Sequence, residues 1–161
     1  MAKFTVGHGL DEYLADLNKL EKVSGKYIGE AVYNGAAVVA DEIRKQIQSL
    51  PVQSGPAKHG SRRNPTQAEI DGMLAGLGIA KKRVVNGFSN VKIGMDGYNS
   101  HVTEKYPKGH PNAMVARSIA AGTSFINRNP FIERAVNATR DRAEEVMRET
   151  IENGIEETMR D

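Results

Sequence analysis

Residues 84–98 read "VVNGFSNVKIGMDGY", and their reading separates a mixed fold from an all-helical one. Val91, Ile93 and Met95 alternate with Lys92 and Gly94, the period of two expected of a half-buried strand. Asn86-Gly87 and Asp96-Gly97 bracket that run, and both dipeptides favour the positive backbone angles of tight hairpins. Residues 81–103 are therefore expected to form a small antiparallel meander, with a third strand around Tyr98 to Val102.

On either side the period changes to that of a helix. Leu10, Leu14, Leu17 and Leu20 line one face of a short helix that Ser24-Gly25 should interrupt. Ile28, Val32, Gly35, Val39, Ile43, Ile47 and Leu50 then mark a six-turn amphipathic helix stopped by Pro51. Its other face, Glu30, Asp41, Arg44, Lys45 and Gln48, should be wet. Thr66-Gln67-Ala68-Glu69 has the form of a capping box, in which hydroxyl and carboxylate satisfy each other's free backbone donors. A weak helix should follow through Ile70, Met73, Leu74 and Leu77 to Gly78, since Gly72 and Gly76 each cost about 1 kcal/mol relative to Ala. Pro111-Asn112 opens a short helix closed by Gly122.

The closing helix, about 130–158, is announced by "GTSFINRNPFIERAV" (122–136). Pro130 suits a first helical turn, where its missing N–H costs nothing, and Asn129 is placed to accept a bond from that turn. Phe125 and Phe131 read as a clamp holding the helix start to the body, with Ile132 and Val136 facing inward beside Phe131 and Gly154 as a fraying point. The class is α+β: long N-terminal and C-terminal helices packed with a small antiparallel meander, in one domain spanning 1–161.

Composition narrows the functional classes. The hydrophobic share is 39%, the charged share 26%, and no apolar run approaches the 18 or more residues of a membrane span. The first residues carry acids and no apolar stretch of the kind signal peptides have. Cysteine is absent, which excludes disulfides and thiolate metal sites and suits a chain made in the cytoplasm or indifferent to redox state.

Charge is unevenly spread: residues 51–110 hold 9 basic and 4 acidic side chains, whereas 144–161 hold 2 Arg and 7 acids. The long loop at about 51–65 and the segment after it supply Lys58, Arg62, Arg63, Lys81, Lys82 and Arg83 as a candidate partner or subunit interface. Glu144, Glu145 and Glu149 on the closing helix are its acidic counterpart, with Glu144 and Arg148 spaced to pair at i,i+4. No aromatic residues interleave with the basic cluster as a nucleic-acid stacking platform would require.

Signs of catalysis are missing from the pattern. His8, His59, His101 and His110 include no pair at helical ligand spacing. "GPAKHGSR" (55–62) has the glycine interval of a phosphate loop but Ser61 where the gripping Lys belongs. No nucleophile elbow exists, so no catalytic residue, metal or cofactor is expected.

The stretches "GAAVVADEIRKQIQSLPV" (35–52), "TQAEIDGMLAGLGIAKKR" (66–83), "VKIGMDGY" (91–98) and "GTSF" with "NPFIERAV" (122–136) resemble the tail-component family of HK-type lambdoid siphophages and their prophages. The likeness covers roughly 9–155, and its most specific feature is the order Gly-Thr, Asn-Pro-Phe, Ala. Many members have Thr-Gly-x-Leu after the first long helix and a strand running to the Gly-Thr; here Ser54-Gly55-Pro56 and a helix at 112–121 stand in those places. The resemblance implies a neck or tail-completion protein that helps join head to tail. Such a protein would be structural, not an enzyme, located in the virion and partnered by itself in a ring and by neighbouring neck or tail proteins. The alternative from charge alone is a small nucleic-acid-binding protein using the basic middle segment.

Overall fold

The computed structural model describes residues 8–160. Helix α1 (His8–Gln48) runs unbroken for 41 residues, about 60 Å at 1.5 Å per residue. The expected interruption at Ser24-Gly25 does not occur. Ser24 Oγ donates to the Glu21 carbonyl at 2.9 Å, a bond made within the helix, and Lys82 Nζ donates to the Gly25 carbonyl at 3.2 Å. One interior glycine costs about 1 kcal/mol, too little to break a helix packed along much of its length. Leu10 and Leu14 fall outside the residues whose side chains are described.

After Pro51 and a long loop, α2 (Gln67–Gly76) starts on the expected capping box: Thr66 Oγ1 accepts from Glu69 N, and the Glu69 carboxylate accepts from Thr66 N at 2.8 Å. The helix ends earlier than the apolar pattern implied. Leu77 turns to extended backbone and begins β1 (Leu77–Ile79), which pairs antiparallel with β4 (Ile93–Met95). Between them β2 (Arg83–Val85) and β3 (Phe88–Asn90) form a hairpin through Asn86 (φ 52°) and Gly87 (φ 80°), both in the left-handed region that this turn requires.

The single meander is thus replaced by two separate two-stranded sheets. Leu77 and Ile79 around Gly78 gave too short a run to distinguish a strand from the last turn of a helix. The third strand at 98–102 is absent; only an isolated bridge joins Tyr98 to Pro111. Asp96-Gly97 makes no hairpin either, because Asp96 N bonds the Gly76 carbonyl and the Gly97 carbonyl accepts from Asn112 N.

Helix α3 (Asn112–Ala121) closes on Gly122 at φ 76°. Helix α4 (Phe131–Arg160) returns antiparallel along α1: Phe131 shares the core with Ile43 and Ile47, Gly35 faces Met147, and Gly154 lies under the Tyr27 ring. Gly154 is therefore no fraying point. It is buried, its missing side chain makes room for Tyr27, and the helix continues six residues further.

The core gathers at one end of this pair. Phe131, Ile47, Met73 and Ile119 are wholly buried there, with Ile70, Leu77, Met95, Val115 and Ile126 around them. Phe125, the other half of the expected clamp, is 58% exposed. Its backbone is what the fold uses, because the Phe125 carbonyl accepts from Arg63 N at 2.9 Å. Val136 is also exposed, and Ala135, Thr139 and Ala143 take the inward positions of α4. The Asn129 side chain accepts from Arg134 Nη2 at 2.6 Å; no bond to it from the first-turn backbone forms.

Candidate functional site

An apolar groove of about 500 Å³ opens beside the core. One wall is β4, with Ile93, Gly94 and Met95; the facing wall is α3, whose Ala113, Ala116 and Ala120 fall on one face at three- and four-residue steps. Pro130 and Ile132 at the start of α4 close one end, and Arg117 and Glu133 stand as the charged lining residues. Small side chains explain the groove. Four alanines and a glycine line the walls without filling the space between them.

The second feature is convex. In the β2–β3 hairpin Val84, Val85 and Phe88 are 64%, 51% and 76% exposed. Val85 and Phe88 are register partners, so their side chains share one face of the ribbon next to its turn. Lys82 anchors the hairpin to α1 through the Gly25 carbonyl, while Lys81 and Arg83 cluster with Asn90 and Lys92 at its base. The aromatic that sequence spacing did not place among the bases is therefore present in space: Phe88 projects from a hairpin rooted in Lys81, Lys82 and Arg83.

The six candidate bases do not form one patch. Arg63 leaves the group altogether. Its guanidinium donates to both Glu69 oxygens at 2.7 and 2.8 Å and to the Asn64 carbonyl at 3.0 Å, and its backbone bridges to Phe125 and Asn127. Burial pushes the Glu69 carboxyl up, but the Arg63 bonds and the Thr66 N–H outweigh it and hold the group below the usual carboxylate range. Bonding to Glu69 likewise raises Arg63. This pair is a structural clasp between loop and α2. Lys58 and Arg62 remain on the exposed loop.

Glu144, Glu145 and Glu149 are exposed on α4. Arg142 pairs with Glu145 at 2.7 Å and with Glu149 at 4.0 Å, whereas Arg148 pairs with Glu152 and not with Glu144 as the spacing suggested. Such exposed pairs contribute little to stability.

The structure also joins two histidines that linear spacing kept apart. His101 and His110 rings lie 5.2 Å apart edge-on, and Tyr106 packs on His110 at 4.7 Å. Asn99 Oδ1 holds the loop by accepting from both His101 N and His110 N. Among the described residues no three or more His, Asp or Glu side chains converge as a metal site, and no helix is long and apolar enough to cross a membrane.

No protein-family model matches the chain, and neither does any curated protein or solved structure.

Proposed function

We propose that this protein is a structural assembly protein of a tailed-phage virion or prophage, acting at the head–tail junction as a ring-type homo-oligomer with neighbouring neck or tail proteins. It acts stoichiometrically, without turnover. The carrying observation is the pairing of an exposed apolar hairpin, Val84, Val85 and Phe88, with an apolar groove lined by alanines. Exposed apolar features of this kind mark surfaces that meet other proteins. The resemblance in the Gly-Thr and Asn-Pro-Phe segments supports the phage setting, with Phe131 buried at the start of α4.

Immunogold labelling tests the reading. Antibody against the chain should decorate the head–tail junction of virions released from a host that carries the gene. Virions free of the chain would refute it.

A second reading has one observation in its favour. Phe88, exposed on a hairpin whose base carries Lys81, Arg83 and Lys92, offers a stacking surface near cations to single-stranded nucleic acid. Retention of labelled DNA that falls steeply with the logarithm of salt concentration would favour this reading over the first.

A further inference from the structure

We infer that the β2–β3 hairpin of one copy docks into the β4–α3 groove of the next, a contact that rests on the self-assembly reading and assigns it two surfaces. The convex and concave features are matched in chemistry: Val85 and Phe88 form a single apolar knob, and the groove of about 500 Å³ is walled by Ile93, Met95, Ala113, Ala116 and Ala120. They cannot meet within one chain. The hairpin is tied to α1 at Gly25 through Lys82, while the groove borders α1 at Ile43, more than about 20 Å further along the helix axis.

The backbone around the groove favours an extended occupant. The β1–β4 sheet has only two strands, and the bonds Ala80 N to Lys92 O and Asp96 N to Gly76 O fix its register. That register turns the N–H and C=O groups of Ile93 and Met95 away from β1, toward an edge that has no neighbouring strand among the described residues. Alpha-helix α3 stands beside this edge, so a strand entering the groove gains ladder bonds as well as apolar contact. Charge is compatible with this entry: Lys81 and Arg83 at the hairpin's base can meet Glu133 in the groove lining, whose existing pair with Arg128 is long, at 3.9 Å, and solvent-exposed, while Arg117 adds a like charge to the same lining.

Because the knob and the groove are different surfaces, the contact is heterologous and each copy presents one free half of it at either end of a growing chain of copies. One Phe and one Val bury a few hundred Å² at most, well short of the roughly 1,200 Å² of a stable pairwise interface. A single contact is accordingly weak, and assembly is concentration-dependent until it closes.

Sedimentation velocity on the full chain over a concentration series tests this with two surface variants, Phe88→Asp and Ala113→Trp. Both positions are exposed, and unchanged thermal melting verifies that each variant folds. Wild type should form species larger than a dimer, and each variant alone should associate at least about tenfold more weakly. An equimolar mixture should recover a dimer and stop there, because the first variant keeps its groove and the second keeps its hairpin. Wild-type assembly with both variants equally assembled overturns this contact and leaves self-assembly standing. A wild-type chain that stays monomeric hands the groove to another protein and overturns both. A mixture that gains no dimer overturns the contact as well.

Discussion

Replacing Phe131 by Ala removes the largest wholly buried side chain among the described residues. A buried aromatic ring withdraws about 150–250 Å² from water, and at about 25 cal/mol per Å² that is roughly 4–6 kcal/mol, part of which the retained Cβ preserves. The residual hole adds a cavity penalty, because the surrounding core residues Ile43 and Ile47 on α1 and Ile119 on α3 belong to separate helices and do not collapse together. The expected loss is about 3–5 kcal/mol, a large share of the 5–15 kcal/mol that holds such a domain folded. Urea denaturation of the purified variant reads it directly, and the melting temperature should fall by about 10 °C or more. Phe131→Leu, which keeps most of the volume, should lose much less. A loss below about 1 kcal/mol for the Ala variant would mean that the ring is not the anchor of α4. The same burial leaves no ring surface for a neighbouring subunit, so any assembly defect should track lost stability.

Arg63→Ala strands the buried Glu69 carboxylate and should cost about 3 kcal/mol, read by denaturant titration. Glu69 is held below its unfolded pKa of about 4.3, so its contribution is complete above that pH and disappears as pH falls through the lower folded value. Glu69→Gln should therefore flatten the acid limb of stability below about pH 4.3, and an unchanged limb would remove the clasp from the account. Limited trypsin digestion should cut after Lys58 and Arg62 before it cuts after Arg63, whose N–H and C=O are both bonded to the 125–127 segment; early cleavage at Arg63 would contradict that tether. Gly25→Ala should stabilise by up to about 1 kcal/mol, because open space surrounds an added Cβ, while Gly154→Ala should destabilise by driving a methyl into the Tyr27 ring. Equal melting shifts for the two would overturn the close approach of Gly154 to Tyr27.

Helices were legible wherever a long apolar period or a cap announced them. Thr66 and Glu69 placed the start of α2, and Gly122 placed the end of α3, because each signal is local to a few residues. Asn86-Gly87 likewise placed the hairpin turn. What the pattern hid depends on contacts between distant segments. Strand β1 exists because β4 lies beside it, and Gly25 and Gly154 stay helical because α1 and α4 support each other. The groove had no signature of its own. The step of Ala113, Ala116 and Ala120 was readable, but only the placement of β4 opposite it turns a small-residue face into a wall. Arg63 looked like any cation of the loop until Glu69 was found buried beneath it.

The seam between α1 and α4 changes character along its length. At the base, Ile43 and Ile47 meet Phe131 and Ala135 under the covering α2, α3 and sheet. Further out, Gly35 faces Met147 and Gly154 faces Tyr27, and among the described residues only α1 and α4 line the hollow at Leu20, Val23, Ile151 and Ile155. Glycines let the two helices approach closely, but a two-helix seam buries little apolar area per turn. Bonds such as Asn34 to Thr150 at 3.2 Å and Tyr27 to Glu157 at 3.4 Å supplement it, each contributing at most about 1 kcal/mol. Stability is therefore concentrated at the base, where β4 and α3 are built into the packed core. The groove thus borders the best-packed part of the protein, and the distal arm is the region whose backbone amides should open first to hydrogen exchange.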